Sequence, residues 1–451
     1  MQLSIADTAW LAMETEDTPM HVGVLAVFRK PDNAAADYVS QLVEQLGCRR
    51  DWVAPWNCRL RHPGLSAWNT RLIEDRNVEP GYHLRRSALP HPGGELELGR
   101  MVSHLHSVAL DRRRPLWELH IIEGLAHERF AFYLKIHHLL IGDVNAIPLL
   151  MEHLSNSADI TDVQPPWTQP IANAKPTSGG IGLNSLTGLG KAGVGLLRTS
   201  VSRQEPGSFV APGGVPRSTL NRRINHQRRV ATQQFPSRRI ASLARATDST
   251  VNELLTYLCG SVLRRFFKEY NALPDESLVG VVPVSLQERS ERVPGNAIAG
   301  IRVALGTHIG DPIKRLQAVK LSIAQARADR QSLPEGSVVP YVMLRSAPLF
   351  ASQTPVVGRM IPPLFNLRVS STESCEEPRY IMGSRLEAVY PLSQLLQYSA
   401  LSIDCVSYAG RLNIGFTGAR DTLPRLQRMA VYFGQMLADL EELVESEEGV
   451  A

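Results

Sequence analysis

Two adjacent histidines, His137 and His138, close an apolar alternating run that begins at Phe130, and Leu139-Leu140-Ile141-Gly142-Asp143-Val144-Asn145 follows them. Phe130, Phe132, Leu134 and Ile136 alternate with Ala131, Tyr133 and Lys135, which is the period of a half-buried strand. Consecutive strand residues point to opposite faces. One metal ion could not easily take both imidazoles, because paired ligands on one element need a shared face. Proton transfer fits better: a neutral imidazole in a dry site, with one nitrogen fixed by a hydrogen bond, can take a proton from a hydroxyl while that oxygen attacks an acyl carbonyl. The competing reading is a pair of hydrogen-bonded core histidines.

The surrounding text separates these readings. Arg114-Pro115-Leu116-Trp117-Glu118-Leu119-His120-Ile121-Ile122-Glu123-Gly124-Leu125 precedes the strand. Thr18-Pro19-Met20-His21-Val22-Gly23, Thr250-Val251-Asn252-Glu253, Val282-Pro283-Val284-Ser285-Leu286 and Tyr408-Ala409-Gly410-Arg411-Leu412 stand in order around it. The ordered set resembles the wax ester synthase/diacylglycerol acyltransferase family of bacterial lipid-storage enzymes, which carries PLWE and then HHxxxDG. The resemblance spans nearly the whole chain. It implies an α/β chain of two chloramphenicol-acetyltransferase-like domains with the active site between them. It also implies transfer of a fatty acyl group from acyl-CoA to a long-chain alcohol or diacylglycerol, with acyl-CoA as substrate and no cofactor. His138 matches the family's second histidine, the general base; His137 is then structural, and Asn252 is the candidate polar contact near the tetrahedral oxyanion, with Glu253 beside it in a supporting place.

Three departures bear on activity. The family's Asp-Gly after the histidines is Gly142-Asp143 here, its Asn-Asp pair is Asn252-Glu253, and an SNVPGP-like turn is replaced by Ser370-Ser371-Thr372-Glu373-Ser374-Cys375. Moving the carboxylate one residue along displaces its anchor by about 3.8 Å, so a more loosely held histidine loop and slower turnover are expected. Losing the turn's Pro and Gly alters the backbone options of that loop. Two alternatives follow: a catalytically impaired acyl-CoA or lipid-binding homologue, or an acyltransferase for another alcohol.

The elements that must position the histidines divide the chain into 1–160, a Pro/Gly/Ser-rich connection over 161–225, and 226–451. Strands are expected over Met20 to Phe28, Leu278 to Leu286, Ala297 to Leu305, Phe365 to Val369, Arg385 to Tyr390, Ala400 to Tyr408 and Arg411 to Thr417. Helices are expected over Asp37 to Leu46, Leu98 to Leu110, Val251 to Tyr270, Asp311 to Ala328 and Leu423 to Val444. Asn145 and Pro148 mark a further helix start.

Ile181 to Leu197 intersperses apolar residues with glycines and carries only Lys191 as a charge, the pattern of a lipid-docking amphipathic segment or of an ordinary linker helix. Arg217, Arg222, Arg223, Arg228, Arg229, Arg238 and Arg239 follow with no acid between them, a run suited to CoA phosphates, to anionic lipid, or to a solvated face. A net charge of +4 over 451 residues and the lack of interleaved aromatics speak against nucleic acid. The cysteines, Cys48, Cys58, Cys259, Cys375 and Cys405, form no CxxC and are odd in number, which supports neither disulfides nor zinc and fits a reducing cytoplasm. No secretory leader and no run of about 18 apolar residues is present, so the expected location is cytoplasmic, peripherally associated with membrane or lipid inclusions.

Overall fold

Fourteen strands carry the architecture of the described residues, in chain order β1 His21–Arg29, β2 Cys58–Leu60, β3 Leu72–Glu74, β4 Leu84–Ala88, β5 Trp117–Leu125, β6 Arg129–His137, β7 Arg228–Pro236, β8 Val279–Pro283, β9 Gly300–Ala304, β10 Leu367–Glu373, β11 Tyr380–Ile381, β12 Ser384–Leu392, β13 Leu401–Tyr408 and β14 Arg411–Ala419. The computed structural model describes residue 3 and residues 5–63, 70–141, 146–171, 214–283, 300–331, 348–353, 357–373 and 375–448. One six-stranded sheet has the order β11-β12-β1-β6-β5-β4, a second the order β7-β14-β13-β10-β8-β9, and β2 pairs with β3 separately. Helices interleave with strands in both halves, as a two-layer α/β chain requires.

The histidine strand β6 lies at the centre of the first sheet, between β1 and β5. Its alternation is real, yet the strand is buried on both faces rather than half-buried. Phe130, Phe132, Leu134 and Ile136 join Val24, Ala26 and Phe28 in one core. Ala131 and Tyr133 face a second cluster with Leu25, Val27, Leu98 and Val230. The second face is closed by the helix Glu95–Ser107 and by the other half of the chain, which is why a lysine at position 135 is only 1% exposed. Alternation records a polar face; it does not say whether that face meets water.

Val230 comes from β7, the edge strand of the second sheet, and the helix Glu95–Ser107 seals that edge. Ser107 Oγ accepts the Arg228 N–H at 2.8 Å and Ser103 Oγ accepts the Val230 N–H at 2.9 Å. Unpaired edge donors inside a protein are costly, and here two hydroxyls from the other half satisfy them. The arginine run is therefore partly a strand: Arg228 and Arg229 begin β7.

In the second half the helices Ser237–Ala246, Val251–Glu269, Pro312–Gln331 and Gln427–Glu448 belong to the second sheet's core, with Leu258, Leu263, Val319, Phe433 and Leu437 buried. The segment expected to replace a turn does otherwise. Ser370 to Glu373 continue β10, paired in parallel with β13 from Arg368↔Ser402 to Glu373↔Ser407. Serine, threonine and glutamate, unlike proline, leave every ladder N–H available, so the strand runs on. The expected hairpin turn is present, with Ala409 at φ 47 and Gly410 at φ 72, the left-handed pair of a tight two-residue connection.

One strand crosses the expected division. β12, from the 226–451 part, pairs antiparallel with β1 from Gly23↔Leu392 to Arg29↔Arg385, so the first sheet is completed by the second half of the chain. Where β12 passes β14, a Cβ on Gly415 would lie 2.0 Å from Pro391 O, and only glycine permits that approach. The strands β4, β5 and β7 were not legible from alternation, because β5 carries Glu118 and His120 on a buried face and β7 reads Arg-Arg-Val-Ala-Thr-Gln-Gln.

Candidate active site

β6 ends at His137, and His138 opens the short helix His138–Ile141. Two motif segments fix the backbone of the pair: Leu116 O accepts the His137 N–H and Met20 O accepts the His138 N–H, both at 2.9 Å. Pro115 to Glu118 and Thr18 to His21 thus serve the histidines from neighbouring strands. Trp117 is held in turn by a bond from its Nε1 to Trp56 O at 2.8 Å and by stacking on Trp167 and His83.

The two rings differ in their surroundings. His137 Nδ1 accepts the Leu139 N–H at 3.0 Å, so the ring proton sits on Nε2 and is donated to Glu14 Oε2 at 3.1 Å. Glu14 also pairs with Arg112 at 2.7 Å and accepts the Met20 N–H at 3.1 Å. Burial pushes the Glu14 carboxyl up, but the His137 ring, Arg112 and the Met20 N–H together bring it down to about 2. His137 is committed at both nitrogens. His138 is not: its ring is buried, stands edge-on to Trp10 with centroids 4.4 Å apart, and neither nitrogen has a partner among the described residues. Burial, reinforced by the neighbouring His137 and the Arg368 guanidinium, lowers its pKa to about 3. The ring is therefore neutral at any ordinary pH, with a free lone pair in a dry place.

A buried polar layer extends from this point along the same face of the sheet. Lys135 Nζ meets Glu118 Oε2 at 3.0 Å and donates to Leu105 O and Val108 O, while His120 Nε2 and Arg85 reach the same carboxylate at 3.0 and 3.2 Å. Burial raises the Glu118 carboxyl, and His120, Lys135 and Arg85 outweigh it, holding the group at about 2. Next along, His106 Nε2 donates to Ser393 O at 3.2 Å, which leaves Nδ1 to accept from the Tyr133 hydroxyl at 2.7 Å. His21 Nε2 donates to His106 O at 3.1 Å. Burial lowers His106 to about 3 and, with the nearby His106 and Lys135, lowers His21 as well. From the second sheet, Arg368 pairs with Asp404 at 2.7 Å, and Asp404 accepts from Ser402 Oγ at 2.8 Å. Charge near His138 thus comes from both halves.

The other expected site residues fall elsewhere. Asn252 is exposed in the first turn of the helix Val251–Glu269. Glu253 accepts the Thr250 N–H at 2.8 Å while Thr250 Oγ1 accepts the Glu253 N–H at 3.2 Å, a capping box that explains both residue types without substrate. No hydrogen bond among the described residues joins Asn252 to the histidine pair. Gly142, Asp143 and Asn145 lie outside the described residues, as do Ser285 and the Ile181 to Leu197 segment. Within the arginine run, Arg223 pairs with Asp17 and Arg239 with Glu441, Arg228 donates to Asp17 O, and Arg229 donates to Pro424 O. Trp10, Glu14, Arg112, Glu118, Lys135, Arg368 and Asp404 were missed from sequence. Lys135 and Glu118 carried a signal, a lone charge inside an apolar strand.

No helix among the described residues is long and apolar enough to cross a membrane. The family profile of the wax ester synthase/diacylglycerol acyltransferase catalytic domain matches residues 3–255, and that of the WS/DGAT C-terminal domain matches residues 294–441. A Mycobacterium tuberculosis protein that carries the name diacylglycerol O-acyltransferase is 37% identical over 97% of both chains, and a Mycobacterium bovis protein of the same naming is 34% identical over 97% of this chain and 98% of its own. The solved wax ester synthase/diacylglycerol acyltransferase of Marinobacter aquaeolei superposes with a TM-score of 0.79 at 32% identity, covering 99% of this chain and 100% of that one. The first condensation domain of the CDA synthetase, at 15% identity and TM-score 0.53 over 97% and 96% of the two chains, shares the fold.

Proposed function

This chain belongs to the wax ester synthase/diacylglycerol acyltransferase family and is an acyltransferase; we propose that it moves a fatty acyl group from acyl-CoA to the hydroxyl of a long-chain alcohol or a diacylglycerol. The observation that carries this reading is the His138 ring, buried, neutral and without a partner at either nitrogen among the described residues. His138 accepts the acceptor's proton as the oxygen bonds to the thioester carbon. Collapse of the tetrahedral intermediate breaks the C–S bond, and the departing thiolate takes that proton from the imidazolium, leaving an ester and free CoA. A thiolate of ordinary pKa, about 8.5, readily deprotonates an imidazolium held near 3, so the positive ring is short-lived. Burial on both sides of the pair keeps water from competing for the thioester.

The test is turnover of palmitoyl-CoA with hexadecanol, diacylglycerol and a panel of other alcohols, read as thiol release and ester formed. Ester with hexadecanol or diacylglycerol supports the proposal, ester with another alcohol alone moves the acceptor, and no ester with any of them removes it. Turnover lower than in relatives with the usual Asp-Gly order is part of the same reading. Gly142→Asp together with Asp143→Gly is expected to raise ester formation; a fall would mean that the loop is rebuilt around Asp143.

The proposed working place is the cytoplasmic surface of a membrane or lipid inclusion, reached through the Ile181 to Leu197 segment and the arginines of the run beyond Arg223. Cosedimentation with anionic vesicles should be strong at low salt and weaken as salt screens the arginines. Binding that survives deletion of residues 181–197 would remove this part of the proposal.

A further inference from the structure

A cavity of about 410 Å³ lies where the chain enters the second half, walled by Arg217, Ser218 and residues 221–223, by Leu349, Ser352 and residues 358–359 and 361–365, and by residues 397–399. Its walls are cross-linked by side-chain amides. Asn221 Nδ2 donates to Phe365 O at 2.9 Å and Tyr398 O at 3.0 Å, and Asn366 Nδ2 donates to Asn221 Oδ1 at 2.7 Å and Pro216 O at 2.8 Å. Gln397 accepts the Ile224 N–H at 3.1 Å and donates back to Ile224 O at 3.0 Å. A pocket so braced is shaped before any ligand arrives.

Its lining combines arginines with neutral polar and apolar residues. Arg217, Arg222 and Arg359 line it with no carboxylate partner among the described residues, and Arg223 adds a fourth guanidinium shared with Asp17. Ile361, Leu364 and Phe365 supply the apolar part, and the Tyr398 hydroxyl in the same wall is buried without a partner among the described residues. Guanidinium groups bind phosphate through paired N–H donors and stack on planar rings. A chain of packed residues links the cavity to His138. Leu349 and Gln397 line it, their chain neighbours Phe350 and Leu396 pack against the cluster of Trp10, Met13 and Met20, and Trp10 lies against His138.

We infer that this cavity receives the phosphorylated nucleotide end of acyl-CoA, with arginines on its phosphates, the purine on the apolar wall, and the pantetheine arm passing the Trp10 layer to His138. The inference rests on acyl-CoA being the donor. Several phosphates on one molecule match several unpaired arginines, whereas a lipid headgroup would place one phosphate among them.

The test compares the intact protein with the double variant Arg222→Glu, Arg359→Glu, after thermal unfolding has shown both to be folded. Palmitoyl-CoA and palmitoyl-pantetheine, which lacks the nucleotide and its phosphates, serve as alternative donors, and CoA alone is titrated by calorimetry. The intact protein should prefer palmitoyl-CoA in kcat/KM by roughly 100-fold, as two charge-assisted contacts imply, and the double variant should lose that preference and bind CoA at least about tenfold more weakly. Equal use of the two donors by the intact protein, or CoA binding unchanged in the variant, overturns the inference. Loss of phosphatidylglycerol vesicle binding with CoA binding intact also overturns it, assigning the arginines to lipid. Arginine-dependent CoA binding without ester from either donor supports the cavity and removes the acyl-transfer reading instead.

Discussion

His138→Ala is expected to lower ester formation by about 10²–10⁴, the usual worth of a positioned general base, while the unfolding transition stays close to that of the parent. The ring donates nothing to the described residues and accepts nothing from them, so its removal strands no polar partner among them. What is lost is the lone pair in the dry site. A second readout separates this role from a structural one. Because the free ring is neutral down to about 3, kcat/KM should show no acid limb from this histidine between pH 5 and 8. Near-normal rates in a folded His138→Ala protein, or an acid limb near 6.5, would contradict the assignment.

The largest effect on stability is expected at Glu118. Glu118→Ala leaves Lys135, 1% exposed, without its carboxylate partner, and breaking a buried ion pair from one side costs about 3–5 kcal/mol. The midpoint of urea unfolding should fall accordingly. Adding Lys135→Met to the same variant should recover most of the loss, since the stranded charge is then gone; a double variant no more stable than the single one would mean that packing, not charge, sets the effect. Acid acts on the same group. The folded carboxyl is held at about 2 against an ordinary 4.5, a depressed value, so its contribution is complete above 4.5 and is lost as pH falls toward 2.

Both predictions rest on residues that differ in how readable they were. The His137-His138 pair and its strand were legible because a period-two pattern and a motif lie together in sequence. The partners of the pair were not, since Trp10, Glu14 and Arg112 reach it from other elements, and Arg368 comes from the other half of the chain. At Thr250-Val251-Asn252-Glu253 the Thr-x-x-Glu spacing itself spells a capping box, a local role for Thr250 and Glu253 that was open to reading from sequence. Ser370 to Glu373 read as a loop on composition alone, but strand pairing is decided by the neighbour, and β13 offered one. β12 could not be placed at all from sequence, because nothing in Ser384–Leu392 says which sheet it will join.

That placement limits how the enzyme can be handled and how it can move. A site on a hinge between two bodies can gape to admit a bulky lipid, but here the two bodies share a hydrogen-bonded ladder of seven residue pairs from Gly23↔Leu392 to Arg29↔Arg385. Gaping would tear it, so opening of the two bodies is not how a bulky substrate is admitted. The same stitch sets the rule for building hybrids with relatives: a junction in the 161–225 connection separates β1 from its own β12. Residues 380–392 therefore have to travel with the first sheet, although the chain order assigns them to the other parent.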